Sequence, residues 1–423
     1  MPSSDRAVIH VIGSGLAGLA AAVRLSDAGR TVVVHEAALQ AGGRCRTYHD
    51  EATGLLIDNG THILLSGNRA ALDFAETIGS RDGLYRPDKA EFPFVDLESG
   101  ERWAVSLNDS RFPRWLFDKT RRVPQTSLVD YLPLARLALA SGDRPIGDVV
   151  DCSGPLYRRF LEPLMLAALN TAPQEGSSKL AAALIRETIA LGGAYCRPLL
   201  ARDGIGKVFV DPAIDYLRGR GVAINFGDEL TALVRAGARI AALKLSGGEV
   251  ALGAADAVIL AVPAHAAARL VPGLRAPTEF RGILNVHFAV AARDALPPML
   301  GVLNGVSEWI FAHPERVSVT ISNADRYFDT PRAELAGTLW REVSQIAGLP
   351  DAMPRWQVVR ERRATFAATP AQNRLRPPSQ TAFENLLLAG DWTATGLPAT
   401  LEGAVRSGFR AAELITQAMR PAA

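Results

Sequence analysis

Residues 7–36, AVIHVIGSGLAGLAAAVRLSDAGRTVVVHE, leave the chain little freedom in how it begins to fold. The apolar run 7–12 reads as a strand of a parallel sheet, buried on both faces. It breaks into Gly13-Ser14-Gly15-Leu16-Ala17-Gly18, and a helix follows with Ala17, Ala20, Ala21 and Leu25 on its inner side. Gly29 ends that helix, a second apolar strand covers 31–34, and Glu36 closes the unit. Each glycine has a mechanical reason. Gly13 permits the tight turn, Gly15 lets the backbone approach a pyrophosphate, and Gly18 lets helix and strand pack closely. The helix start at Leu16 and Ala17 offers free N–H groups and the positive end of a dipole to phosphates. Glu36, with Ala37 beside it, is placed to accept the hydroxyls of an adenosine ribose, and its charge disfavours a 2′-phosphate. The unit is a dinucleotide-binding βαβ.

Which dinucleotide is decided downstream. The second strand runs into Gln40-Ala41-Gly42-Gly43-Arg44-Cys45-Arg46-Thr47, and then Asp58-Asn59-Gly60-Thr61-His62 follows. Here the chain resembles the flavin-containing amine oxidoreductase and phytoene desaturase superfamily, whose members carry a GGR-x-x-(S/T) loop and a D-x-G-x-H segment. The resemblance implies FAD as cofactor. It places Gly43 and Arg44 at the diphosphate or flavin edge, and the backbone of Gly60, Thr61 and His62 along the isoalloxazine. It also puts Leu230, after Glu229, where superfamily members hold the adenine.

The far end of the chain carries the second half of that resemblance. Residues 385–392, NLLLAGDW, read as a strand ending in Gly390-Asp391, and 397–408, LPATLEGAVRSG, opens a helix. The superfamily's C-terminal signature implies that Asp391 bonds the ribityl or diphosphate region. Leu401, Glu402 and Ala404 then lie at a helix N-terminus aimed at the flavin N1/O2 edge, where a dipole stabilises the charge of the reduced ring. In the middle, Phe160-Leu161-Glu162-Pro163-Leu164, the run Ala168-Leu169-Asn170-Thr171-Ala172-Pro173, and Arg197-Pro198-Leu199 to Gly204-Ile205-Gly206 narrow the likeness. They are similar to the squalene-associated branch, the hydroxysqualene dehydroxylases of hopanoid-producing bacteria.

Composition excludes other classes. The 423 residues are 48% hydrophobic and 21% charged, which suits two or three globular domains. Forty-six basic residues against 44 acidic leave a formal charge of +2, with no nucleic-acid footprint. Cys45, Cys152 and Cys196 lack metal or disulfide spacing, so no metal is expected and a reducing compartment fits. No apolar targeting segment precedes the first strand, and no apolar run approaches the ~20 residues a membrane span requires. The expectation is a cytoplasmic protein, with a peripheral contact at the inner membrane face left open.

The fold class expected is α/β. A Rossmann-like FAD-binding domain, discontinuous over 1–75, 200–268 and 380–423, joins a substrate domain of mixed or antiparallel sheet with a helical cap, over 76–199 and 269–379. A helix is expected over 68–78, short strands over 92–97 and 102–105, and helices over 127–140, 153–169, 179–191 and 208–218. Strands are expected over 222–226, 240–245, 249–252 and 256–263, then at 283–291, 301–306, 309–312, 317–322 and 357–363. A helix at 335–347 interrupts the last group. The basic and aromatic stretch 111–122 is either a cap helix with its aromatics facing the core or a segment docking on an anionic bilayer.

Nothing in the sequence competes with a flavin as the redox centre, since no Ser–His–Asp or CxxC arrangement is visible. The apolar middle suits an isoprenoid, and no single arginine stands out as a carboxylate clamp for an amino acid. The dehydroxylase resemblance implies conversion of hydroxysqualene to squalene, with hydride passing from reduced flavin N5 to an allylic carbon while the hydroxyl leaves as water. That step needs an acid. His62 and His287 are the candidates, with Glu162 and Glu402 behind them. Partners implied are the isoprenoid and a hand-over from upstream squalene-pathway enzymes. A carotenoid desaturase or amine oxidase running hydride toward FAD, and a non-catalytic flavin-binding protein, stay open at this point.

Overall fold

The computed structural model describes residues 7–292 and 294–419. Its organising layer is a five-stranded parallel sheet, in the order Ala223–Phe226, Thr31–Glu36, Val8–Ile12, Ala257–Leu260, Leu386–Leu388. The N-terminal strand is central, with its own second strand on one side and segments from the middle and end of the chain completing the sheet. Ala257–Leu260 is buried at every position, as a strand covered on both faces must be.

Two helices close one face. Leu16–Asp27 buries nine of its residues, and the C-terminal helix Leu401–Ala418 lies directly against it. They approach so closely that a Cβ on Gly408 would sit 2.2 Å from the carbonyl oxygen of Ala17. The first turn is equally tight: Gly13 has φ +101°, and a Cβ on Gly18 would lie 1.9 Å from the Gly13 carbonyl oxygen. A three-stranded antiparallel meander, Leu230–Ala236, Arg239–Leu245 and Gly248–Ala251, covers the expected hairpin and adds a strand before it.

A seven-stranded sheet forms the other half. Its order is Trp356–Phe366, Phe280–Phe288, Val317–Ile321, Trp309–Ala312, Met299–Leu303, Ala90–Asp96, Arg102–Leu107. All neighbours are antiparallel except Met299–Leu303 and Ala90–Asp96, which run parallel. The sheet is therefore mixed, and the two strands expected at its edge join the later ones. The helix Arg332–Ala347 packs its apolar side beneath.

Between the halves sits the helical cap, where local sequence decides where helices break. The expected helix at 153–169 is continuous, but Tyr157–Leu161 is a wider π turn. Pro163 explains it, because a proline ring obstructs the carbonyl four residues earlier and offers no N–H of its own. Asn170 ends the helix at φ 49°. Two expected helices are shorter than read. The one at 127–140 is a 3-10 turn Val129–Tyr131 and a helix Leu132–Ala138. The one at 179–191 bends at Thr188, whose hydroxyl donates to the Leu184 carbonyl at 2.7 Å. The stretch 208–218 divides into Ile205–Phe209 and Asp211–Gly219, with Pro212 opening the second. A small sheet of Ile63–Leu65, Pro198–Ala201 and Leu84–Tyr85 was not expected from the sequence.

The closeness of the first and last helices is testable. Gly408→Val should lower the stability of the folded chain by about 1–3 kcal/mol, the usual cost of overfilling a packed site. Chemical denaturation measures it, and an unchanged midpoint would mean that the two helices are not in contact at this point.

Candidate active site

The glycine-rich turn and its acid are built as one object. The Glu36 carboxylate accepts from the Ser14 N–H and hydroxyl, both at 2.7 Å, and from the Ala38 N–H at 2.9 Å. It is thereby fixed at the carboxyl end of its strand, beside Ala37. A second segment reaches the same place, since the Asp228 N–H donates to the Glu36 carbonyl at 2.8 Å. Leu230 lies just beyond, buried at the start of its strand. Gly15 pairs with Gly42 across the turn, and a Cβ on Gly15 would meet nothing within 4 Å. That open space, next to the helix N-terminus at Leu16 and Ala17 and against Gly18, is a cradle with room for a phosphate.

Arg44 ties this turn to the other end of the chain. Gly43 stands over Gly15, and the Arg44 guanidinium donates to Asp391 at 2.9 Å and to the Ala364 carbonyl. The carboxylate of Asp391 raises the Arg44 pKa further above its already high value. The carbonyl of Asp391 accepts from Arg376 at 3.0 Å, and Arg376 also grips the carbonyl of Thr393 and the hydroxyl of Thr395. Gly390 and Asp391 therefore sit at a strand end braced by two arginines. Ser407, from the last helix, accepts the Gly390 N–H at 2.8 Å. That helix begins at Leu401, with Thr400 capping the Gly403 N–H at 3.0 Å and Ala404 in its first turn.

The segment 58–62 is joined by Asn285, from the strand Phe280–Phe288 of the seven-stranded sheet. Asn285 is fully buried; its carbonyl oxygen accepts from the Thr320 hydroxyl at 2.7 Å and the Thr61 N–H at 3.3 Å. Its amide nitrogen has no partner, and it lies 3.4 Å from where a Gly60 Cβ would be. The Thr61 hydroxyl is also buried without a partner. Buried amides and hydroxyls are normally bonded, and an unmade bond costs roughly 1–3 kcal/mol. Two such groups beside the Gly60 backbone fit a polar ring system lying there. In sequence the only signal was the position of Asn285 two residues before His287.

The histidines divide. His62 Nδ1 lies 2.7 Å from the Gly60 carbonyl, so it carries the proton, leaving Nε2 with a lone pair and no hydrogen-bond partner among the described residues. Burial lowers its pKa. His287 is corrected by the structure. Its Nδ1 meets the Ser318 hydroxyl at 2.8 Å and its Nε2 the Asp58 carbonyl at 3.2 Å. Burial first, and then the charge of Arg316, push its pKa down to about 3. A neutral imidazole with both nitrogens occupied has no proton to give to substrate. Glu402 is corrected likewise. Its carboxylate caps another helix, accepting from the Ala70 and Ala71 N–H groups at 3.1 and 2.9 Å, and pairs with Arg406 at 2.7 Å. Only its backbone is left to face a cofactor.

Glu162 is placed differently. It lines a 490 Å³ cleft between the cap and the seven-stranded sheet, together with Arg158, Arg159, Glu101 and Glu308. Burial raises the pKa of Glu162, and raises that of Glu308 to about 7. Deeper in the same region Phe94 stacks on Trp103 and contacts Phe160 and Trp309. Arg44 pairs with Asp391, Arg316 lies 3.5 Å from Asp58, and Arg376 bonds backbone carbonyls, while the buried Arg122 has an Nε without a hydrogen-bond partner. No metal-holding group of side chains exists among the described residues, and no helix among them is long and apolar enough to cross a membrane.

Three comparisons bear on this arrangement. The family of flavin-containing amine oxidoreductases matches residues 16–416. The hydroxysqualene dehydroxylase of Rhodopseudomonas palustris is 56% identical, over 97% of this chain and 99% of that protein. The protein of the same name from Sinorhizobium fredii is 52% identical, over 96% of this chain and 97% of its own length. Among solved structures, cyclohexylamine oxidase from Brevibacterium oxydans superposes with a TM-score of 0.71, over 98% of this chain and 99% of that one, at 16% identity. That last likeness concerns the fold.

Two outcomes are expected. Asn285→Asp keeps both bonds accepted by the side chain and removes the donor. FAD affinity should then fall by about 2- to 10-fold, the worth of one hydrogen bond, with a shifted flavin absorbance band; unchanged titration and spectrum would place the ring elsewhere. The buried histidines carry a pH dependence. The pKa of His287 stands at about 3 and that of His10, lowered by burial and by His35, at about 4, both against 6.5 unfolded. The unfolded chain takes up those protons first, so stability is full above pH 6.5 and declines as pH falls from there toward 4. In denaturant titrations across that range, His287→Gln should flatten the decline.

Proposed function

We propose that this chain, which belongs to the flavin-containing amine oxidoreductase family, is an FAD-dependent oxidoreductase that converts hydroxysqualene to squalene. The observation that carries the cofactor is the braced cradle of Gly15, Glu36, Arg44 and Asp391 beside the two unpaired groups of Asn285 and Thr61. The substrate reading rests on identity above one half, along almost the whole chain, to a relative named for that reaction.

The reaction replaces a C–O bond by a C–H bond: the carbon gains a hydride, and the hydroxyl leaves as water once it gains a proton. Bound FAD, in its reduced form, supplies the hydride chemistry. Glu36 with Ala37 and the 228–230 segment would hold the adenosine half. Gly13, Gly15, Leu16, Ala17, Gly18, Gly43 and Arg44 would hold the diphosphate, with Asp391 and Gly390 on the ribityl side. Gly60, Thr61, His62 and Asn285 would line the ring, and the helix start at Leu401 and the Ala404 turn would stabilise its reduced charge. His62 Nε2, as a lone-pair acceptor, suits orienting the substrate hydroxyl. The proton we assign to Glu162, which lines the cleft and which burial moves toward its protonated form.

We read the chain as two interleaved parts, 1–75 with 200–268 and 380–423 around the cofactor, and 76–199 with 269–379 around the substrate. In support, every strand of the parallel sheet falls in the first set and every strand of the seven-stranded sheet in the second. The three-stranded sheet that includes Pro198–Ala201 joins them. An isoprenoid of this kind is sparingly soluble, so the reading includes work at a membrane face and hand-over from the enzymes that make hydroxysqualene.

Incubation of hydroxysqualene with the enzyme and reduced FAD should yield squalene by mass spectrometry, with reoxidation of the flavin. Reduction of the oxidised enzyme by polyenes or amines, with hydroxysqualene untouched, would transfer it to the desaturases or amine oxidases, and a flavin spectrum indifferent to all of them would make it a binding protein. Glu162→Gln should lower kcat by about 10²–10⁴-fold, the usual share of a general acid, while leaving FAD affinity unchanged. Near-normal turnover in that variant would move the acid elsewhere.

A further inference from the structure

The cap turns an apolar surface to solvent. Phe112, Phe117, Leu128, Val129, Leu132 and Leu139 are exposed, from 44% at Leu128 to 82% at Leu139. The other exposed large apolar side chains among the described residues, Leu39, Leu56, Tyr85 and Met353, are scattered along the sequence. Isolated exposure is ordinary, whereas concentration in one short stretch signals a contact surface.

The two stretches that carry these six side chains are tied together by what lies beneath them. Trp115 is buried and meets Tyr131 edge-on, with ring centroids 5.3 Å apart. The Tyr131 hydroxyl accepts from the Val123 N–H at 2.9 Å, locking the two turns together. With Trp115, Tyr131, Leu134 and Leu137 directed inward, their neighbours are left outside. Phe112 and Phe117 stack on one another, centroids 6.1 Å apart and 11° from parallel, into a two-ring plate.

Charge on the same stretch has one sign. Residues 111–139 hold six basic side chains and two acidic ones, a formal +4 within a chain that totals +2. Both acids are occupied locally, Asp118 by Thr120 and Asp130 by Ser127. Arg111, Arg114, Lys119 and Arg136 are exposed and have no ion-pair partner among the described residues.

We propose that this face docks on an anionic lipid bilayer, with the phenylalanines and leucines at the acyl boundary and the four free cations on headgroup phosphates. The proposal rests on the reading of the substrate as a membrane-dissolved isoprenoid, and it gives that substrate a short path from the bilayer to the cap. A second copy of this chain suits the face less well, because a two-fold contact would set the same unpaired cations against each other.

The full-length holoprotein is tested by co-sedimentation with vesicles of phosphatidylcholine alone and of phosphatidylcholine with phosphatidylglycerol in equal parts. It should partition onto the anionic vesicles, and salt should weaken the binding. Partitioning should fall about tenfold or more in the variant Arg111→Ala/Arg114→Ala/Lys119→Ala/Arg136→Ala and again in Phe112→Ser/Phe117→Ser. The two variants guard against misfolding of either one, and circular dichroism checks both. Wild-type protein that stays in solution, or variants that partition like wild type, would overturn the proposal. So would a dimer by light scattering that Phe117→Ser disperses. Turnover of detergent-solubilised hydroxysqualene is read separately: if it is absent the substrate assignment fails, while the partition result still decides the docking.

Discussion

The pairing of Arg44 with Asp391 sets the shape of the site. One partner follows the first βαβ unit and the other ends a strand some 350 residues later, yet guanidinium and carboxylate meet at 2.9 Å. Asp391 is buried while the Arg44 side chain is partly exposed, and a carboxylate taken out of water is stable only if further hydrogen bonds hold it. The Ala364 carbonyl takes a second Arg44 donor, and Arg376 grips the Asp391 backbone from behind. The contact can form only when the parallel sheet has collected its strands from both ends and the middle of the chain. Nucleotide cradle and sheet are thus two views of one constraint.

Around that pair, the groups without partners are as informative as those with them. The carboxylates of Glu36, Asp58 and Glu402 each accept from two or more donors, and Asp391 takes Arg44 on its carboxylate and Arg376 on its carbonyl, which freezes the frame. Asn285 and Thr61 keep a buried donor unspent beside Gly60. Other buried donors are also without a hydrogen-bond partner, several of them arginine Nε and tryptophan Nε1 groups, but these two lie beside the same strip of backbone, the one along which a flavin ring would lie. The same reasoning removes His287. With both of its ring nitrogens taken, it bonds the seven-stranded sheet to the Asp58 backbone and has nothing left for substrate.

The cap and its sheet give the second half of the molecule a different character. Phe94, Trp103, Phe160 and Trp309 form a greasy wall where the helices meet the strands, while the rim of the neighbouring cleft is lined by charged groups. The outer surface reverses the usual order, with apolar side chains turned outward between cations. An interior suited to an oily molecule and an exterior suited to an oily phase are consistent with one another.

Much of this was legible in the chain. The dinucleotide unit, the alternating strands of the second sheet and the C-terminal Gly-Asp strand with its helix are local patterns, written in residues a few positions apart. Local sterics also account for the caps and breaks, even where their exact place was misread, as with the π turn that Pro163 forces upstream of itself. The strand Pro198–Ala201 was missed because four residues beginning with proline make no periodic signal. Its pairing with Ile63–Leu65 and Leu84–Tyr85 exists only in the folded molecule.

What sequence determined, then, was the class of fold and the kind of cofactor, because backbone conformation and helix dipoles depend on near neighbours. Tertiary structure alone decided which polar side chains remain free. Whether Glu402 faces a flavin or caps the helix Arg69–Thr77, and whether His287 can hold a labile proton, depends on partners brought in from hundreds of residues away. Hydrogen-bond satisfaction is a property of the assembled interior, and no spacing along the chain records it.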